Sequence, residues 1–240
     1  MGVKELLKAV KKKLSEGSPK KIPYAGFSDL DRYMKEHYGN EALCIDPGKS
    51  LDVNSETMLT ISGRSTKNCS LVAITRLLFY YKEKQGLTGI KGDIFEIYRE
   101  VEEIGKRYGY RDKRGTNPVK IDNITKEAFR RYGYKAKCRG VYSWEFETEV
   151  KQEIDESRPV IMNLARGYYK DHTISVVGYS VWQAGNKKLP VIKVVDGWNG
   201  GYYYIDYTVF CNDMRYAGIG SFNTARVISK AENKISEKMK

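Results

Sequence analysis

Cys69 lies in the stretch "STKNCSLVAITRLLFYY", where a polar, irregular segment gives way to an apolar helical pattern. A thiol at that junction has two readings. Free cysteine is among the most buried residue types and acts as a small hydrophobe. A cysteine at a helix N-terminus, however, meets free N–H groups and partial positive charge, which favour thiolate over thiol. Such a cysteine is a better nucleophile than one in mid-helix. Cys44, Cys138 and Cys211 lack this context and read as ordinary small apolar residues. No two of the cysteines form a C-x-x-C pair, which excludes zinc-ribbon and redox motifs, and reduced thiols are expected.

A thiol nucleophile needs a base, and the chain offers two histidines. His37, between Glu36 and Tyr38 in a charged helical pattern, reads as a surface residue. His172 opens the run "HTISVVGYS", where a strand-end residue can project into a cleft while rigid neighbours hold it. Asp196 closes the next strand-like run, in "VVDGWNGGYYYIDY". A carboxylate at a strand end can accept the imidazole N–H and fix its tautomer. Taken singly, these residues have plainer explanations: a hydrogen-bonded histidine, and an aspartate that starts a turn. Taken in order, thiol, imidazole and carboxylate are the parts of nucleophilic acyl transfer.

The elements that must position them follow from periodicity. Residues 1–16 read as a basic amphipathic helix ending at Gly17, with "GSPKK" as a linker. "FSDLDRYMKEHYG" reads as a short helix with Ser28 as N-cap and Gly39 beyond its end. Residues 40–68 read as irregular, with turns at "DPGKS" and "SGRST". In the helix of Leu71 to Gln85, Leu71, Thr75, Leu78 and Tyr81 share a face that Val72, Ile74 and Leu77 widen, which predicts a buried central helix. "GDIFEIYREVEEIGKRYG", with Asp93 near its cap, "DNITKEAFRRYG" and "SWEFETEVKQEIDES" give further helices. Then the period changes. "RPVIMNL", "HTISVVGYSVW", "LPVIKVVDGW" and "GGYYYIDY" are β-branched and aromatic runs separated by Gly, Asn and Pro. Helices followed by consecutive strands predict an α+β fold with antiparallel pairing.

The formal charge of +12 raises nucleic-acid binding as a reading, but +5 of it lies in residues 1–21 and +2 in residues 230–240. No RNA- or DNA-binding motif accompanies it, so no nucleic-acid partner is expected. No apolar run approaches a membrane span. The N-terminus lacks the apolar core and cleavage site of a signal peptide, so the default compartment is cytoplasmic, with secretion of a trimmed precursor as the alternative. Nothing in the sequence sets an oligomeric state.

The order of Cys at a helix start, helices, His opening a strand, and Asp or Asn before Gly/Ser-Trp resembles the papain clan of cysteine peptidases. "DHTISVVGYS" is similar to the clan's His strand, and "VIKVVDGWNGGYY" to its strand and Asn-Ser-Trp-Gly turn, with Asp196 where papain has Asn. "NCSLVAITRLLFYY" and "IDESRPVIMNL" look closer to bacterial peptidases related to the bacteriocin double-glycine leader peptidases, in which the third residue is usually Asp. The resemblance covers about residues 58 to 210. It implies a papain-like fold: a helical half with a central Cys-bearing helix, packed on a twisted antiparallel sheet. It also implies a Cys69–His172–Asp196 triad, Trp198 shielding the His–Asp contact, a peptide or protein substrate, and no metal or cofactor.

Two departures stand out. The family's oxyanion-binding Gln falls about six residues before the Cys, where this chain has Gly63 between Ser62 and Arg64. The Gly and Pro-like residues after the Cys are here Ser70 and Leu71. Losing one oxyanion donor commonly costs roughly 10²–10³ in turnover. Asn68 or Ser62 is the candidate substitute, with the Cys69 N–H as the other donor. The organisation expected is an extension over 1–57 that packs on the body or covers the cleft, a catalytic domain over 58–228 and a basic tail over 229–240. Two alternatives to a peptidase stay open: a catalytically weak or inactive relative that binds peptides, and a transglutaminase-like acyl-transferase or amidase using the same three residues.

Overall fold

The computed structural model describes residues 23–142, 144–165, 167–217 and 220–230. The expected helix over 1–16 lies outside them, as do residues 231–240 of the basic tail. The centre is helix α3 (Cys69–Gln85), whose residues Leu71 to Leu78 are all buried. A helix apolar on every side must be covered on every side. Here α2 (Met58–Ser62), α4 (Ile94–Arg107) and α5 (Ile121–Arg131) cover part of it, and strands β4 (Val160–Leu164) and β5 (His172–Ala184) the rest. Each fully buried Leu or Ile contributes about 1.5–3 kcal/mol. Gly86, at φ +67°, closes the C-terminal end, and Lys82 and Lys84 complement the last turn.

The sheet is antiparallel throughout. With β1 (Ala25–Phe27), β2 (Leu43–Asp46), β3 (Tyr134–Val141), β6 (Lys187–Val195), β7 (Tyr203–Asp206) and β8 (Gly220–Lys230), its order is β1-β7-β6-β5-β4-β8-β3. Strand β2 lies beside the far end of β5, past the point where β4 stops. The fold is therefore α+β, and the predicted central helix and four strands are present. Residues 25–46, assigned from sequence to an extension, supply two strands of this sheet. Midway along β5 the Lys49 carbonyl comes so close to Gly178 that a side-chain carbon there would lie 2.7 Å from it. The register of β5 against β6 shifts at the same point.

Several elements differ from the sequence reading. Asp29, not Ser28, caps α1 (Leu30–Tyr38), accepting a hydrogen bond from the Arg32 N–H. The segment read as irregular holds β2 and α2, the latter capped by Thr57. "SWEFETEVKQEIDES" forms a π-helical turn (Glu147–Lys151) and one α turn, α6 (Gln152–Asp155), rather than one regular helix. Strands β3 and β8 and helix α7 (Tyr207–Ala217) were not expected. Helix α7 starts at buried Asp206, which accepts hydrogen bonds from the Val209 N–H and from the hydroxyls of Tyr33 and Tyr38. The helix predicted at Asp93 is as expected, with a full capping box between Asp93 and Glu96.

Candidate active site

Cys69 is the first residue of α3 and is half-buried. No side chain caps this helix. Its first N–H groups have no partner within the helix either, as at any helix start. Asn68 precedes it and is buried, but its side-chain N–H₂ donates to the Tyr98 hydroxyl at 3.0 Å.

His172 is the first residue of β5 and is buried. Its Nε2 lies 2.7 Å from the main-chain carbonyl of Asp196. A carbonyl only accepts, so in the neutral ring Nε2 carries the hydrogen and Nδ1 keeps the lone pair. The indole of Trp198 stacks on the imidazole at 4.7 Å between centroids, and Tyr169 lies behind it at 6.0 Å. Burial holds His172 below its ordinary pKa, opposed by the carbonyl and charge of Asp196, with Arg76 adding to the lowering.

Asp196 directly follows β6 and is buried. Its carboxylate was expected to take the imidazole N–H; its main-chain oxygen does so instead. Oδ1 accepts the N–H of Trp198 at 2.9 Å and of Asn199 at 3.5 Å, closing an Asx turn. Burial raises the carboxyl's pKa, opposed by those two N–H groups, His172 and Arg76. Gly197, at φ +75°, completes the turn and accepts the Met58 N–H at 2.8 Å. A side-chain carbon on Gly197 would lie 2.8 Å from Met58 Cγ and 3.2 Å from both Nη1 and Nη2 of Arg76, and the positive φ also favours glycine here.

Arg76 itself is 2% exposed, two turns along α3 from Cys69. It donates to the Glu56 carbonyl, while its Nε has no partner. Burial lowers its pKa to about 10, opposed by the charges of Asp196 and Glu56. It is therefore a buried cation beneath the Asp196–Gly197 turn.

Cys69, His172 and Trp198 line one hollow of about 750 Å³. Ser62 and Asn68, the expected oxyanion donors, are not among its lining residues. The Ser62 hydroxyl lies 2.7 Å from the Met58 carbonyl and 2.8 Å from that of Arg64, and Asn68 is tied to Tyr98. The hollow's floor is a chain of buried polar groups. Thr173 Oγ1 donates to Asn163 Oδ1 at 2.9 Å, so the Ser70 hydroxyl, 2.9 Å from Thr173 Oγ1, must donate to it. Asn163 Nδ2 donates to Ser221 Oγ at 3.0 Å and to Asn223 Oδ1, and Asn223 Nδ2 donates to Asp122. Donation thus runs one way and ends on a carboxylate. Because Ser70 and Thr173 follow Cys69 and His172 directly, this contact clasps the two walls together beside the thiol and the imidazole.

Sequence reading missed Arg76 and the floor. An arginine inside an otherwise apolar helical pattern was the available signal for the first; the second joins residues more than a hundred positions apart. Among the described residues no group of three His, Cys, Asp or Glu side chains is placed to hold a metal ion.

The fold is thus an α+β architecture with an antiparallel sheet, compatible with a peptidase. Comparison with known families goes one step further: the Peptidase_C39-like family model matches residues 51–222, and the chain belongs to that family. Membership points to activity of the cysteine-peptidase kind. The match spans α2 to the start of β8, and so includes Cys69, His172 and Asp196. No curated protein matches the chain.

Proposed function

We propose that the protein is a papain-like cysteine peptidase that hydrolyses peptide bonds through a thioester. Cys69 Sγ attacks the scissile carbonyl, and His172 Nδ1 takes the thiol proton. His172 then gives that proton to the leaving amine. Water adds to the thioester, delivering a proton back through His172, and the Cys69 thiol and a carboxylic acid are released. The Asp196 carbonyl orients the ring by holding Nε2–H, and the Asp196 carboxylate stiffens the turn and places negative charge near the imidazolium as it forms. Trp198 covers the His172–Asp196 contact. The oxyanion falls to main-chain N–H groups at the uncapped start of α3. The observation that carries this reading is that Cys69 and His172 line one hollow while His172 Nε2 is tied off on Asp196, leaving Nδ1 for the thiol.

The test is alkylation of Cys69 by iodoacetamide in parallel with peptide turnover by wild type and Cys69→Ala. Cys69 is expected to react well above the rate of a free model thiol, and Cys69→Ala to lose turnover. Alkylation at the model-thiol rate would remove the nucleophile assignment.

One observation favours a second reading, a non-catalytic peptide-binding module. Neither Asn68 nor Ser62 reaches the hollow, so the lost family Gln has no side-chain substitute from them. Peptide binding without acid product or thioester would select that reading, and a new amide product would select acyl transfer to an amine.

A further inference from the structure

Charge is unevenly spread over the hollows of this surface. Beside α1 a hollow of about 500 Å³ is lined by three acids, Asp29, Asp31 and Glu36, against Arg32 and Lys35. The candidate active-site hollow is the reverse: Lys67, Arg114 and Lys170 line it, and Asp171 is its only acid among the described residues. Arg114 also lines an adjoining hollow of about 680 Å³ with Lys106, Arg111 and Lys113, where the only acid among the described residues is Asp112. Asp112 is already engaged by Arg64 at 3.6 Å, and Lys106 by Glu102 at 3.0 Å. Lys67, Lys113, Arg114 and Lys170 are exposed, and none makes an ion pair among the described residues.

These cations stand on fixed backbone. Arg111 and Gly115 bridge to each other, with the Gly115 N–H on the Arg111 carbonyl at 2.7 Å and the Arg111 N–H on the Gly115 carbonyl at 3.2 Å. The Lys67 N–H donates to the Asp112 carbonyl at 3.0 Å, docking this turn on the segment that leads into Cys69. On the opposite wall Lys170 and Asp171 both have φ above +40°, a conformation uncommon in non-glycine residues, immediately before His172. Basic side chains are thus presented beside both the thiol and the imidazole, three of them against the one acid Asp171, and none is held in an ion pair among the described residues.

We infer that the substrate is an acidic peptide segment, with Asp or Glu within a few residues of the scissile bond seated on Lys67, Arg114 and Lys170. This rests on the peptidase reading for the site, but the charge preference can be measured apart from it. Exposed ion pairs are individually weak and additive only in part, so three of them give a preference of about tenfold, and salt reduces it.

The experiment uses the full chain and matched labelled peptides carrying Glu, Gln or Lys around one scissile bond. Binding is read on Cys69→Ala by fluorescence anisotropy, and kcat/KM on the wild type. The Glu peptide is expected to lead the Gln peptide by about tenfold in both, less at high salt, and the Lys peptide to trail. In Arg114→Glu/Lys170→Glu the Glu-to-Gln ratio is expected to fall below one. Equal ratios for all peptides, or a Glu preference untouched by the reversal, would overturn the inference while leaving the peptidase reading intact. Glu-selective binding without cleavage supports the inference and removes the peptidase reading. A single-stranded RNA of equal charge that displaces the Glu peptide at equal concentration, and loses that ability in the reversed variant, would overturn the choice of an acidic peptide.

Discussion

At the floor of the hollow, Ser70, Thr173, Asn163 and Ser221 are buried and each points at a named partner; at its rim, Lys67, Arg114 and Lys170 stand in water, outnumbering the single acid Asp171 and making no ion pair among the described residues. Arg76 belongs with the floor, a cation with almost no exposure that donates to the Glu56 carbonyl beneath the Asp196–Gly197 turn and meets the charges of Asp196 and Glu56. In the low-dielectric floor, a missing partner leaves a group without hydrogen bonds or counter-charge, and the cost is large. At the rim water replaces any partner that is lost, and salt screens what remains. The floor therefore holds the thiol and the imidazole in place, and the rim acts on what approaches them.

The sharpest way to break this contrast is at Arg76. Arg76→Met leaves the Glu56 carbonyl without its donor and the buried Asp196 charge without the cation that opposes it, with an expected loss of about 3–5 kcal/mol. Arg76→Lys keeps the charge but loses the planar fork that spans Gly197 and the Glu56 carbonyl, and should fall in between. Urea unfolding midpoints check both. A loss below about 1 kcal/mol for Arg76→Met would place Arg76 with the rim residues.

Next in size is the clasp between the walls. Thr173→Val keeps the shape but strips both the acceptor of Ser70 and the donor to Asn163, and is expected to cost about 1–3 kcal/mol. Ser70→Ala empties only the start of the chain and should cost about 1 kcal/mol. The double variant is expected to lose less than the sum, by at least about 0.5 kcal/mol, because the second change finds the contact already broken. Additive losses would mean that the two hydroxyls do not act through each other.

His172 gives a smaller, pH-dependent effect. Its folded pKa is depressed by burial, so the unfolded chain, near about 6.5, binds the proton more readily. The associated stability is full above that value and is lost as pH falls through the folded value. In Cys69→Ala, NMR titration of the His172 ring is expected to give a midpoint below about 6.5. A midpoint above it would mean that the Asp196 charge outweighs burial.

The same contrast explains what could be read from the sequence. The α3 helix and β4 to β7 were legible because apolar periodicity and turn residues are local signals, and with them the places of Cys69 at a helix start, His172 at a strand start and Asp196 just past a strand. Strand β8 was not, because its inward-facing Ser221 and Asn223 are polar; their burial makes sense only with Asn163, about sixty positions away. Strand β3 does alternate, with Tyr134 and Ala136 buried and Lys135 and Lys137 exposed, and the period-2 signal there was available but unused. That Asp196 would hold the imidazole by its carbonyl and not its carboxylate was illegible for another reason. Both atoms belong to one residue, and the Asx turn at Gly197 decides which of them faces the ring.

The smallest effect is at the rim, and it sharpens the comparison by being nearly invisible to stability. Lys113 is exposed and unpaired on the 111–115 turn, so Lys113→Glu should leave the unfolding midpoint within about 0.5 kcal/mol of wild type. The backbone bridge between Arg111 and Gly115 and the Lys67–Asp112 hydrogen bond hold the turn without that side chain. What changes is the field over the adjoining hollow, where a base becomes an acid next to Arg111 and Arg114. Association of an acidic peptide should slow severalfold at low salt, with little change in its dissociation rate, and the difference should shrink as the Debye length falls to about 3 Å in 1 M salt. A change in dissociation rate instead would put Lys113 in contact with the bound segment. A drop in stability like that expected for Thr173→Val would mean that the turn depends on its cations and that rim and floor are not separate.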